Sequence, residues 1–130
     1  MNIYDKKGAL LAIVVRGNEI EEGRNFLTDD SEEVQIAAFN FNNKTIIEKH
    51  IHLNQKREVH TTSETLIILD GSMGVKIFDN SEEFIESVTL GQGDSISLLR
   101  GGHGIEIETS CKFIETKQGP YTEDLDKKRF

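Results

Sequence analysis

The sequence predicts an all-β domain. Three observations carry that reading. Short runs of β-branched and aliphatic residues recur at spacings of about 8–12 residues, as in sandwiches and barrels. Explicit turn residues separate them, and there are 11 glycines but one proline. Helical periodicity is almost absent; only the polar stretch from Asn18 to Glu33 is compatible with a short helical turn.

Strands are expected near 9–16, 33–41, 44–53, 64–70, 73–79, 84–90, 95–99, 104–109 and 111–118. The first contains Ala9-Leu10-Leu11-Ala12-Ile13-Val14-Val15, the longest apolar run. It is far short of the roughly 20 residues that span a bilayer. Arg16-Gly17-Asn18-Glu19 follows it without a small-residue cleavage site, so it reads as a buried strand and not a signal peptide. The turns are Asn42-Asn43, Asp70-Gly71-Ser72, Asp79-Asn80-Ser81, Gly91-Gln92-Gly93-Asp94 and Arg100-Gly101-Gly102. Such residues accept positive φ or tight bends. Glu123 to Arg129 reads as a solvated terminus. The expected core is aliphatic: Leu11, Ile13, Val15, Ile36, Ala38, Ile51, Leu66, Ile68, Val75, Ile77, Ile85, Val88, Leu90, Ile96, Leu98, Ile105, Ile107, Phe113 and Ile114.

At 130 residues the chain is one domain's length, with no linker or internal repeat. It carries 15 basic and 23 acidic residues, a formal charge of −8. Such a chain repels phosphate backbones, so nucleic acid is not an expected partner, and neither is a membrane. The single cysteine, Cys111, excludes an intrachain disulfide and a thiolate zinc cluster. A cytoplasmic location is expected. No nucleophile elbow and no phosphate loop is present.

Chemistry concentrates around the histidines. His50 and His52 are two apart, so on a strand both imidazoles face one space, as a metal requires of two ligands. Glu64 opens the apolar run Glu64-Thr65-Leu66-Ile67-Ile68-Leu69, which Asp70-Gly71 closes. Downstream, Gly93-Asp94 leads through an apolar strand to Arg100-Gly101-Gly102-His103.

These features resemble the cupin superfamily. His-x-His and Glu-x6-Gly match its first motif, and Gly-Asp…Gly-Gly-His its second, over about residues 44–110. Two departures stand out. His52 and Glu64 are further apart than the motif has them, and Leu99 stands near the place of the usual proline. Two registers are therefore possible. One uses His50 and His52 with a long loop before Glu64. The other uses His60, with Glu58 in place of the first histidine. The first is adopted here because it keeps the imidazole pair, and the second stays open.

The resemblance implies a single jelly-roll barrel, a double-stranded β-helix over residues 1–130. It implies a metal site of His50, His52, Glu64 and His103. That set suits Fe, Mn, Ni, Cu or Zn without choosing between them. Glu58 or His60 would act as catalytic base. Gln35, Arg57, Arg100 and Tyr121 are candidates for binding the substrate; guanidinium forks match carboxylate and phosphate. The ending Lys117-Gln118-Gly119-Pro120-Tyr121 is similar to that of small cupins from sugar and polysaccharide pathways.

Three functions follow as expectations. The domain is a metal-dependent enzyme on a small polar metabolite such as a sugar derivative, a non-catalytic module binding one, or a metal-free sugar-nucleotide isomerase. A homodimer is also expected, because the strand Leu10 to Val15 is apolar on both faces and a single barrel covers one.

Overall fold

The computed structural model describes residues 1–122 and 126–130. Its strands are β1 (Asn2–Tyr4), β2 (Leu10–Val15), β3 (Gly23–Phe26), β4 (Ala37–Asn40), β5 (Glu64–Phe78), β6 (Phe84–Gly91), β7 (Ser95–Leu98), β8 (Gly102–Glu106) and β9 (Cys111–Lys117). All pairings are antiparallel. The all-β reading therefore stands. Among the described residues, no helix is long and apolar enough to cross a membrane.

The organising element is β5. Its sequence alternates: Leu66 and Ile68, then Met73, Val75 and Ile77, are all buried. Its first half pairs with β7 and β9, its second with β6 and β8. A straight strand would hold Glu64 and Ile77 roughly 40 Å apart at about 3.3 Å per residue. Yet His103, the cross-strand partner of Ile77, lies 3.1 Å from Glu64. β5 is therefore folded over, and its two halves carry two leaves that face each other. The bend falls in the expected turn Asp70-Gly71-Ser72. Gly71 has φ +78°, and a Cβ there would collide with the Ser110 carbonyl oxygen. Glycine meets both demands at no steric cost.

Between the leaves lies one core of Ile3, Leu11, Ala12, Val14, Leu66, Ile68, Met73, Val75, Ile77, Val88, Leu90, Ile96 and Leu98, with Ile85, Cys111 and Phe113 at its margin. The strand order is β1-β2-β7-β5-β6, with β8 and β9 also on β5 and β3–β4 a separate hairpin. No sheet closes into a barrel among the described residues.

Several expectations are corrected. Residues 44–53 form no strand. Ile46, Ile47, Ile51 and Leu53 are 61–85% exposed there, so Ile51 is not core. The period-2 pattern is present, but among the described residues no neighbouring strand takes up its backbone hydrogen bonds. The strand expected over 33–41 shrinks to Ala37–Asn40, and the stretch from Asn18 to Glu33 holds a 3-10 turn over Gly17–Glu19 followed by β3. Ile105, Ile107 and Ile114 are 41–46% exposed: Ile105 is on the edge strand β8, Ile107 lies beyond its end, and Ile114 pairs with Ile67 on the outer face. Met73 and Leu99 join the buried set instead. The strand expected at a dimer interface is already covered within one chain: Leu11, Ala12, Ile13 and Val14 are at most 2% exposed, so neither face of β2 needs a partner copy. Of the expected solvated terminus, Glu123, Asp124 and Leu125 lie outside the described residues; Asp126 is not solvated, its side chain being 12% exposed.

Candidate functional site

The two leaves meet at a cluster of charged side chains. Glu64 starts β5, where it pairs across the strands with Lys117 of β9. Cross-strand partners share a face, so both point inward with Leu66 and Phe113. His103 comes from the opposite leaf, sharing the inner face of Ile77. The Glu64 carboxylate is divided between them. Its Oε2 is 3.1 Å from His103 Nε2 and its Oε1 3.2 Å from Lys117 Nζ. The side chains are 14%, 30% and 20% exposed for Glu64, His103 and Lys117, half-sheltered but reachable.

Lys117 is the most heavily engaged. Its ammonium also donates to Asp126 at 3.2 Å, has Glu115 at 3.8 Å, and lies 5.6 Å from the Tyr121 ring centre. Hydrogen bonding to Asp126 and then to Glu64 raises the Lys117 pKa above its ordinary value, so it stays an ammonium at neutral pH. Beside it, Gln118 accepts the Ser63 backbone N–H at 2.8 Å through Oε1, while its buried Nε2 has no partner among the described residues.

A protein-family model described as a domain of unknown function, DUF6016, matches residues 22–90. The chain belongs to the DUF6016 family. No curated protein and no solved structure matches it. The DUF6016 match contains His50, His52 and Glu64 but stops before His103 and Lys117, so the cluster draws one residue from the matched span and two from beyond it.

Within the DUF6016 span the other expected residues disperse. His50 and His52 stay neighbours, with ring centres 5.2 Å apart, and His50 Nδ1 lies 2.8 Å from the Glu48 carbonyl oxygen. Both are exposed on the irregular segment before β5. Among the described residues, no three His, Cys, Asp or Glu side chains are gathered so as to hold a metal ion. The proposed set thus splits into His50–His52 and Glu64–His103, and the second pair already shares its carboxylate with an ammonium. These donors do not fit a common metal.

His60 serves a structural contact. Its Nδ1 lies 2.9 Å from Glu33 Oε1, and its backbone N–H donates to the same carboxylate at 3.0 Å. Thr61 adds its N–H and hydroxyl at 3.1 Å. The bonds from His60, then those from Thr61, lower the Glu33 pKa to about 2. Glu58 is exposed, 3.8 Å from Lys56, and Arg57 is exposed beside it. Gln35 bonds Thr28 and the carbonyls of Asp29 and Glu32, stapling its own loop instead of lining the interior. Arg100 spends its guanidinium on Glu32 at 2.6 Å and the Leu10 carbonyl at 3.0 Å. Tyr121, 62% exposed, does reach the cluster through Lys117. Surface hollows of about 300 and 370 Å³ lie at Asp5–Lys7 with Asp79–Glu83 and at Lys76 with Gly104–Glu106; neither includes Glu64 or Lys117.

The residue that sequence reasoning missed is Lys117. Its signal was available: alternation puts Phe113, Glu115 and Lys117 on one face of the last strand, so an inward Phe113 carries the lysine inward too.

Proposed function

We propose that this domain binds a small polar metabolite of carbohydrate type where Glu64, His103 and Lys117 meet, and that it does so without a metal. The supporting observation is the Glu64 carboxylate held between an imidazole and an ammonium from different strands. An imidazole whose Nε2 stands 3.1 Å from a carboxylate forms with it a pair that can take a proton from a ligand hydroxyl as general base. Lys117 offers its ammonium to a developing or resident negative charge. Of the three expectations, the geometry favours the metal-free ones. On this reading the motif resemblance marks a cupin-like jelly roll in which Glu64 and His103 keep their places at the inner faces, with proton chemistry in place of ligation.

Isothermal titration of hexoses, hexuronates and sugar phosphates against chelator-dialysed protein tests this. Binding is expected to survive dialysis and to be lost in His103→Ala and Lys117→Gln. Binding that returns only with added metal, or that ignores both substitutions, overturns it.

A further inference from the structure

The segment from Asp126 to Phe130 meets the same cluster. Asp126 sits on Lys117 at 3.2 Å with its carboxylate side chain only 12% exposed. At the other end, the Phe130 ring packs edge-on against Phe78 with centres 5.3 Å apart. It lies so close over Gly102 that a Cβ there would come within 2.7 Å of it. Between these ends Lys128 reaches Glu82 at 2.6 Å. Lys117 is one flank of the Glu64–His103 pair, and Gly102, next to His103, is the other. The segment therefore starts on the site, at Lys117, and ends beside it, against Gly102 and Phe78 on the face of that leaf turned away from His103.

We propose that Asp126–Phe130 is a built-in occupant of this site. The Asp126 carboxylate holds the position on Lys117 that a ligand's carboxylate takes, and a ligand enters when the segment lifts. This deepens, and rests on, the reading of Glu64, His103 and Lys117 as a binding site. Charge supports it. Three carboxylates, Glu64, Glu115 and Asp126, already surround one ammonium. A ligand carboxylate replacing Asp126 leaves that balance unchanged, whereas one added beside it would be repelled. The fastening is also light at its outer end. Phe130 is 61% exposed, and the Lys128–Glu82 pair is 80% and 44% exposed, the kind of contact that contributes little to stability. Release exposes Lys117 and removes the first of the two bonds that raise its pKa.

The test reads access to Lys117 directly. Acetic anhydride acetylates amines, and peptide mass spectrometry compares Lys117 with exposed Lys44 in the same molecule. In the unsubstituted chain Lys117 is expected to label about tenfold more slowly than Lys44, and in Asp126→Ala/Phe130→Ala to approach it, since reactivity follows the opened population. Added acetate, against chloride at equal ionic strength, is expected to slow Lys117 labelling in the opened variant. Unchanged labelling in the variant overturns the occupant, and equal rates in acetate and chloride overturn the carboxylate position. If the double variant does not fold, Gly102→Ala displaces the Phe130 ring by contact alone and reads the same ratio. No metabolite is involved, so an opened variant that labels as expected but binds no sugar would sink the functional reading while leaving the occupant standing.

Discussion

The Arg16 guanidinium donates to the Asp94 carboxylate across 2.6 Å and joins the end of β2 to the turn before β7. Asp94 also accepts the backbone N–H of Gly91 at 3.0 Å and of Gly17 at 3.1 Å. Its own backbone carbonyl takes the Ile68 N–H at 2.9 Å. One residue therefore joins the end of β2, β6 and the start of β7 through its side chain, and β5 through its backbone carbonyl. The Gly-Asp pair that marks the second sequence motif is a structural clamp here, remote in role from the chemistry of His103.

Asp94→Ala is expected to destabilise the fold by about 2 kcal/mol, because two backbone N–H groups and a guanidinium lose their acceptor at once. Urea denaturation measures this. Asp94→Asn, which keeps one acceptor oxygen, should cost less. Burial pushes the Asp94 pKa up, but the bonds from Gly91, Arg16 and Gly17 outweigh it and hold the group below its ordinary value. The folded pKa is depressed, so this stability is complete above the ordinary carboxylate range and lost as pH falls through the folded value. The acid limb of the stability profile should therefore shrink in Asp94→Asn.

Gly71→Ala addresses the bend. A Cβ meets backbone at Ser110, which has little freedom to retreat, and the φ of +78° is strained for alanine. A loss of about 3 kcal/mol or more is expected, near the limit of what a small domain tolerates. Thermal melts followed by circular dichroism decide it, and a wild-type melting temperature would show that β5 does not turn here.

Glu33 tethers the end of the irregular segment. In Glu33→Ala, the amides of His60 and Thr61 lose their acceptor and should exchange with solvent several-fold faster, while Leu66 and Ile68 amides in β5 keep their rates. In the parent chain the same release is expected on acidification. The Glu33 pKa is lowered to about 2, so the tether is intact above the ordinary glutamate range near 4.5 and weakens toward about 2. Hydrogen exchange by NMR separates these amides.

Transition-metal affinity, where it is seen, should follow His50 and His52 and not the Glu64–His103 pair. His50 Nδ1 lies against the Glu48 carbonyl oxygen, which leaves Nε2 outward. Zinc titration is expected to lose its signal in His50→Ala/His52→Ala and to keep it in His103→Ala. The opposite order would restore the four-ligand centre.

Much of the fold was legible where burial and alternation coincide. β2, both halves of β5, β6 and β7 read out directly, since Leu66, Ile68, Val75, Ile77, Val88, Leu90, Ile96 and Leu98 fall on the period of a half-buried strand. The convergence of Glu64 and His103 was implied by the cupin resemblance, although the expected metal partners were not assembled around them. The segment 44–53 misled because alternation reports a side-chain pattern and says nothing about whether a neighbouring strand exists to accept its backbone. β1 and β3 were missed for the opposite reason: Asn2-Ile3-Tyr4 and Gly23-Arg24-Asn25-Phe26 are too short and too polar to carry a pattern, and pairing alone makes them strands. Asp126 was read as tail because its partner, Lys117, is an inward-facing charge, which composition treats as surface.

The folded-over β5 has a kinetic meaning. β6 returns on β5 as a local hairpin, but β7 and β9 on the first half and β8 on the second come back from further along the chain. Loops must close before most of these pairings return any free energy, which places the domain among slow, high-contact-order folders. Because one continuous strand belongs to both leaves, neither can melt while the other keeps its partners. A fluorescent reporter at Phe84 and another at Ile114 should therefore trace superimposable unfolding curves, the signature of a single cooperative unit.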